Sequence, residues 1–142
     1  MKWNEAIEQF SHCLLCEATL VQQASWKQLL GVHFTQPFCD RCAKGFILLE
    51  REIDGVYCIY EYNKAMRDFI QRFKFMNDVY LAHGFRVEIS NAIKTIKKKH
   101  QGEVIVIPIP MHLANKRTRT FAQVDELLNA AQIPFVQVLE KL

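Results

Sequence analysis

Two Cys-x-x-Cys pairs, Cys13/Cys16 and Cys39/Cys42, constrain this chain more than any other feature. Each pair sets two sulfurs on one tight knuckle, and two knuckles complete the tetrahedron of thiolates that zinc favours. Glu17 to Phe38 separate the pairs, slightly more than the ~15–20 residues common in such patterns. The spacing predicts one structural zinc ion on Cys13, Cys16, Cys39 and Cys42. Closure by four sulfurs leaves no open coordination position, so the metal is expected to staple the fold and not to catalyse. A redox dithiol is the weaker alternative, because nothing around the pairs resembles a thioredoxin-like site. His12 and His33 are near enough to replace a ligand but read as surface or packing histidines. Cys58, inside an apolar stretch, reads as a small buried hydrophobe.

Thiols left for metal imply a reducing compartment. The N-terminus, Met1-Lys2-Trp3-Asn4-Glu5-Ala6, runs straight into charged and polar residues, unlike a secretory signal. No run approaches the roughly 18 apolar residues of a membrane span. These features predict a cytoplasmic protein. Half of its 142 residues are hydrophobic and 23% are charged, which excludes the composition of a disordered tail. The net charge of +3 is mild, so its placement matters more than its size.

Trp3, Ile7 and Phe10 suggest a short opening helix. Asp54 and Gly55 are turn signals, and a domain boundary is expected there, dividing a zinc-ribbon-like module (1–54) from an α/β domain (55–142). Val56 to Tyr60 reads as a strand. Met66, Phe69, Ile70 and Phe73 mark the core face of a helix, with Lys64, Arg67, Arg72 and Lys74 mostly off that stripe. A second helix is expected from about Val79 to Lys99, with Phe85, Ile89, Ile93 and Ile96 inward. Its closing Lys97-Lys98-Lys99 suits a solvated C-terminus. Val104-Ile105-Val106-Ile107 looks like a parallel strand buried on both faces, stopped by Pro108 and Pro110. Met111 to Arg119 reads as a polar, basic loop. A helix from about Thr120 to Ala131 and a strand at Phe135–Val138 follow. This alternation predicts an α/β fold with a parallel sheet.

The ordered set of motifs resembles the ComF family of bacterial competence proteins, relatives of the amidophosphoribosyltransferases. It comprises the double knuckle, Tyr57-Cys58-Ile59-Tyr60-Glu61-Tyr62, Met66-Arg67-Asp68-Phe69-Ile70 and Lys74-Phe75-Met76-Asn77-Asp78. It continues through Val106-Ile107-Pro108-Ile109-Pro110-Met111-His112 to Arg119-Thr120-Phe121-Ala122-Gln123. The resemblance implies a role in taking up transforming DNA at the inner face of the membrane, beside a DNA-translocating helicase. It also implies a phosphoribosyltransferase-type fold after the zinc module. The family's Arg-Gly-Phe-Asn-Gln motif is altered here at its Gly and Asn positions. The acidic pair and Thr-Thr-Gly loop that bind magnesium and phosphoribosyl diphosphate in the family do not occur before Leu142. No glycine follows Gly102 to build such a phosphate cradle. Transferase activity is therefore expected only of a longer form, with no catalytic residue in this chain.

Val104 to Val124 contains no Asp or Glu, while Lys116, Arg117 and Arg119 cluster near His112. This stretch leaves the C-terminal end of an expected parallel strand, where α/β folds place ligands. Its cations, joined by Arg72 and Lys74, are candidates for binding pyrophosphate or the backbone of single-stranded DNA. Phe121 reads as a core anchor. Three functions follow: a DNA-uptake accessory protein binding single-stranded DNA or a helicase, a phosphoribosyltransferase lacking its active-site half, and a zinc-stapled interaction module.

Overall fold

The structure is a computed structural model that describes residues 10–21, 37–101 and 103–139. The expected opening helix lies almost wholly outside the described residues. The chain divides into two compact units, Met1–Lys44 and Gly45–Leu142. Their division falls before Asp54, where the sequence suggests a boundary.

Asp54 and Gly55 instead make the turn of a β-hairpin. Strand β1 (Leu48–Ile53) pairs antiparallel with β2 (Val56–Tyr60). Both turn residues have positive φ, 50° and 80°, the backbone that an Asp-Gly pair adopts in tight hairpins. The pairing slips between Leu48 and Arg51, and Glu50 takes a positive φ of 43° there, as at a β-bulge. Strand β1 is exposed along most of its length, so it lacks the apolar alternation that would have revealed it.

Helix α2 (Lys64–Phe75) forms where its stripe predicts; α1 (Asp40–Ala43) is a single turn in the first unit. Asn63 caps α2, its side chain accepting from Met66 N–H at 3.0 Å. Its amide also donates to Gly45 O at 2.8 Å, which ties the helix to the chain entering β1. Phe69 and Phe73 are buried. The expected helix from Val79 is in fact two pieces, a 3-10 helix (Val79–Phe85) and α3 (Arg86–His100). Of its expected core positions Phe85 is buried, while Ile89, Ile93 and Ile96 are half-buried.

Aromatic rings fill the centre of this unit. Phe69 and Phe85 are 4.5 Å apart between centroids, Tyr60 and Phe85 4.7 Å, and Phe46 and Phe85 5.0 Å. Edge-to-face and tilted pairs of this kind add to the energy of simple burial. They clamp β2, α2 and the 3-10 helix together. Burial, and then the Glu88 carboxylate beside it, push the Tyr60 phenol above its ordinary range. Lys99 pairs with Glu52, linking the end of α3 to β1. Cys58, expected to be buried, is half-buried on β2.

Two further expectations change. Among the described residues, the observed sheet is this two-stranded antiparallel hairpin, and the parallel sheet is not seen. Val104–Ile107 and Phe135–Val138 form no strand; one backbone bond joins them, Val136 N–H to Val106 O at 3.0 Å. Ile105, Ile107, Val136 and Val138 are exposed. Strand geometry needs a ladder on at least one side, and a single bond does not supply it. The basic loop is also largely helical: α4 spans Leu113–Arg119 and α5 spans Gln123–Ala130. His112 Nδ1 accepts from Ala114 N–H at 3.1 Å, an N-cap that the sequence reading missed. Helix α5 packs on the 3-10 helix and on α3, burying Leu128.

Replacing Asn63 by Ala should lower the unfolding free energy by about 1–2 kcal/mol, since a cap is lost together with a cross-link. Asn63→Asp should recover the cap contribution while losing the bond to Gly45. Phe69→Ala should cost about 3–5 kcal/mol. Urea unfolding of the three variants against the parent checks all three.

Candidate metal centre

The first unit places its cysteines on two local turns. In the first, Glu17 N–H donates to Cys13 O and Cys13 N–H to Ala18 O, both at 2.8 Å. Glu17 sits at φ 61°, and a bridge between His12 and Thr19 closes the turn. In the second, Cys39 stands at the N-cap of α1, and Ala43 N–H donates back to Cys39 O at 2.9 Å. Leu14 N–H bonds Pro37 O at 2.9 Å, joining the two turns. Backbone hydrogen bonds thus set the knuckles face to face.

All four sulfurs lie within 4.8 Å of one another. Zn–S bonds of about 2.3 Å require a tetrahedral edge of roughly 3.8 Å. Cys16 Sγ and Cys39 Sγ are 3.6 Å apart, close to that edge and far beyond the ~2.05 Å of a disulfide. Cys13 is buried and the other three are half-buried. This geometry could hold a single zinc ion. His12 is exposed and stands outside the set, its Nδ1 hydrogen-bonded to Ser11 Oγ at 2.9 Å. His33 lies outside the described residues.

The electrostatics agree with a cation site. A backbone hydrogen bond at Ala18, followed by the Cys42 thiol, brings Cys16 down to about 6. Burial first, then the neighbouring thiols, push Cys42 up to about 12. Four crowded sulfurs cannot all ionise without a positive charge among them, and a divalent ion supplies it. Arg41, between Cys39 and Cys42, hydrogen-bonds Cys16, and that contact with the sulfur charges raises its pKa further. The sequence reading overlooked Arg41, although its place inside the second pair was a usable signal.

The candidate phosphate-binding residues fall elsewhere. Arg117 is exposed on α4, and the side chains of Lys116 and Arg119 lie outside the described residues. Arg72 forms an ion pair with Asp78 at 2.7 Å; Lys74 is half-buried. The ring of Phe73, between those two cations, meets Phe121 at 5.3 Å. That contact brings the last turn of α2 beside the residues that follow α4; Phe121, expected as a core anchor, is half-buried there.

Comparison with known proteins adds two relatives. The chain is 38% identical, over an alignment of 156 positions including gaps, to competence protein ComFC of Streptococcus pneumoniae, covering 91% of this chain and 68% of that protein. It is 22% identical to competence protein ComFC of Bacillus subtilis, covering 86% of this chain and 62% of the relative. The chain therefore spans about two thirds of the length of these curated relatives. No family model matches it, and no solved structure does.

Metal analysis of the purified protein should give about one zinc per chain. Cys39→Ser should lose that zinc, whereas Cys58→Ser should keep it. Binding releases thiol protons, so zinc affinity should fall as pH falls. Chelator competition at pH 6 and pH 8 measures this directly. A cobalt-substituted sample should show the charge-transfer absorption of a tetrahedral thiolate site.

Proposed function

The chain belongs to the ComFC family of competence proteins, and from that membership we propose an accessory role in DNA uptake. In this reading it binds single-stranded DNA, a helicase partner or both, at the cytoplasmic side of the membrane. The observation that carries it is 38% identity, over nine tenths of the chain, to a protein named for competence. No helix among the described residues is long and apolar enough to cross a membrane, which accords with action beside the bilayer.

The division of labour follows from the chemistry. Cys13, Cys16, Cys39 and Cys42 hold one structural zinc that staples the first unit and takes no part in a reaction. Lys116, Arg117 and Arg119 on α4 meet backbone phosphates, with Lys74 and the partly neutralised Arg72 adding to the same positive surface. Such contacts read charge and not sequence, as a protein handling incoming DNA of any origin requires. The acid-free stretch from Val104 to Val124 supports this use, since no carboxylate there opposes a polyanion.

A phosphoribosyltransferase-type parallel sheet belongs to the same proposal. Val104–Ile107 and Phe135–Val138 would be its neighbouring strands, joined by the crossover that contains α4 and α5. Parallel pairing needs a connection of about this length. The bond from Val136 N–H to Val106 O supports the register.

Binding of a labelled oligothymidylate, followed by anisotropy, should weaken linearly in log affinity with log salt. Changing Lys116, Arg117 and Arg119 together to Ala should reduce that slope by about 2. No binding at low salt would overturn the DNA role.

A further inference from the structure

The turn after α2 presents an arrangement that the family's name does not explain. Phe75, Met76 and Tyr80 are 68%, 69% and 61% exposed, within six consecutive residues. Large apolar side chains gathered this way on a surface mark a binding site more often than chance does.

The turn that carries them is well braced. Arg72 pairs with Asp78 across it at 2.7 Å. Val79 N–H bonds Asn77 O at 2.9 Å, and Leu81 N–H bonds Asp78 O at 3.2 Å. Asn77 accepts a positive φ of 54° to make the bend. Leu81 is fully buried, so Tyr80 is held outward by an anchored neighbour. The Tyr80 ring lies nearly parallel to that of His83, 27° between planes and 6.5 Å between centroids. It is a pre-oriented aromatic platform with most of its surface open to solvent.

Charge selects among partners. From α2 to Tyr80 the chain carries Lys64, Arg67, Arg72 and Lys74 against Asp68 and Asp78. Both carboxylates are already engaged, Asp68 by Lys64 at 2.6 Å and Asp78 by Arg72. Arg67 shares Asp68 with Lys64 at 3.9 Å and is largely exposed, so the segment keeps an excess of two positive charges, and Lys74 directly precedes Phe75. Exposed rings beside a net excess of cations are what single-stranded nucleic acid recognises, with phosphates on the cations and bases stacked on the rings.

We propose that Tyr80, supported by His83, with Phe75 and Met76 beside it, is a base-stacking platform for single-stranded DNA. This rests on the DNA-binding reading above and gives it a component that does not depend on charge. Stacking is indifferent to base identity, so it adds affinity without sequence preference.

The test compares a labelled 20-nucleotide oligothymidylate with an abasic deoxyribose-phosphate strand of equal length. The parent protein should bind the thymidine strand more tightly. Tyr80→Ala should weaken that binding at least about five-fold, leave abasic binding unchanged and leave the salt slope unaltered. Tyr80→Phe should restore it. Lys74→Ala should weaken both strands alike and lower the slope. Thermal unfolding of each variant confirms that the fold is intact. Equal affinity of the parent for both strands, or full thymidine binding by Tyr80→Ala, would overturn the platform and leave the electrostatic reading standing. Failure of the parent to bind either strand at low salt would overturn both.

Discussion

Phe85 is the point on which the second unit turns. Its ring meets Phe46, Tyr60 and Phe69 at once, and those residues come from the entry to β1, from β2 and from α2. A two-stranded hairpin is marginal alone in water, and α2 has one buried face to satisfy. Each element is stable because the same ring closes against it. The end of the 3-10 helix is thereby fixed, and with it the direction in which α3 departs.

A different force holds the first unit. Its described residues contribute one α-helical turn and one bridge, with Cys13 and Phe38 buried. Its two knuckles are shaped by backbone hydrogen bonds, but four thiols crowded together disfavour ionisation until a cation joins them. A zinc ion held there would act as a folding partner, and Arg41 would take up part of the remaining negative charge.

In the proposed reading, the second unit would offer DNA two chemically distinct kinds of contact. The cations of α4 and of the end of α2 act at range and fade with salt. The rings at Phe75 and Tyr80 act only in contact and are insensitive to salt. A protein that passes a strand along benefits from a capture term and a grip term that can be tuned separately. The Phe73–Phe121 ring contact ties the end of α2 to the segment after α4.

Local patterns were legible in the amino-acid sequence. The four cysteines declared themselves because ligand spacing within each knuckle is a short-range property. Helix α2 declared itself through Met66, Phe69, Ile70 and Phe73, and the family through its ordered motifs. What depended on distant partners was not legible. Strand β1 has a charged, exposed sequence and exists only because β2 pairs with it, so Asp54-Gly55 looked like a boundary and not a hairpin. Val104–Ile107 has the composition of a buried strand, yet a strand is a relation between backbones, and one bond to Val136 does not make a ladder. Tyr80 gave no signal at all. Its exposure follows from Leu81 being anchored and from the Arg72–Asp78 pair bending the chain, which only the tertiary structure decides.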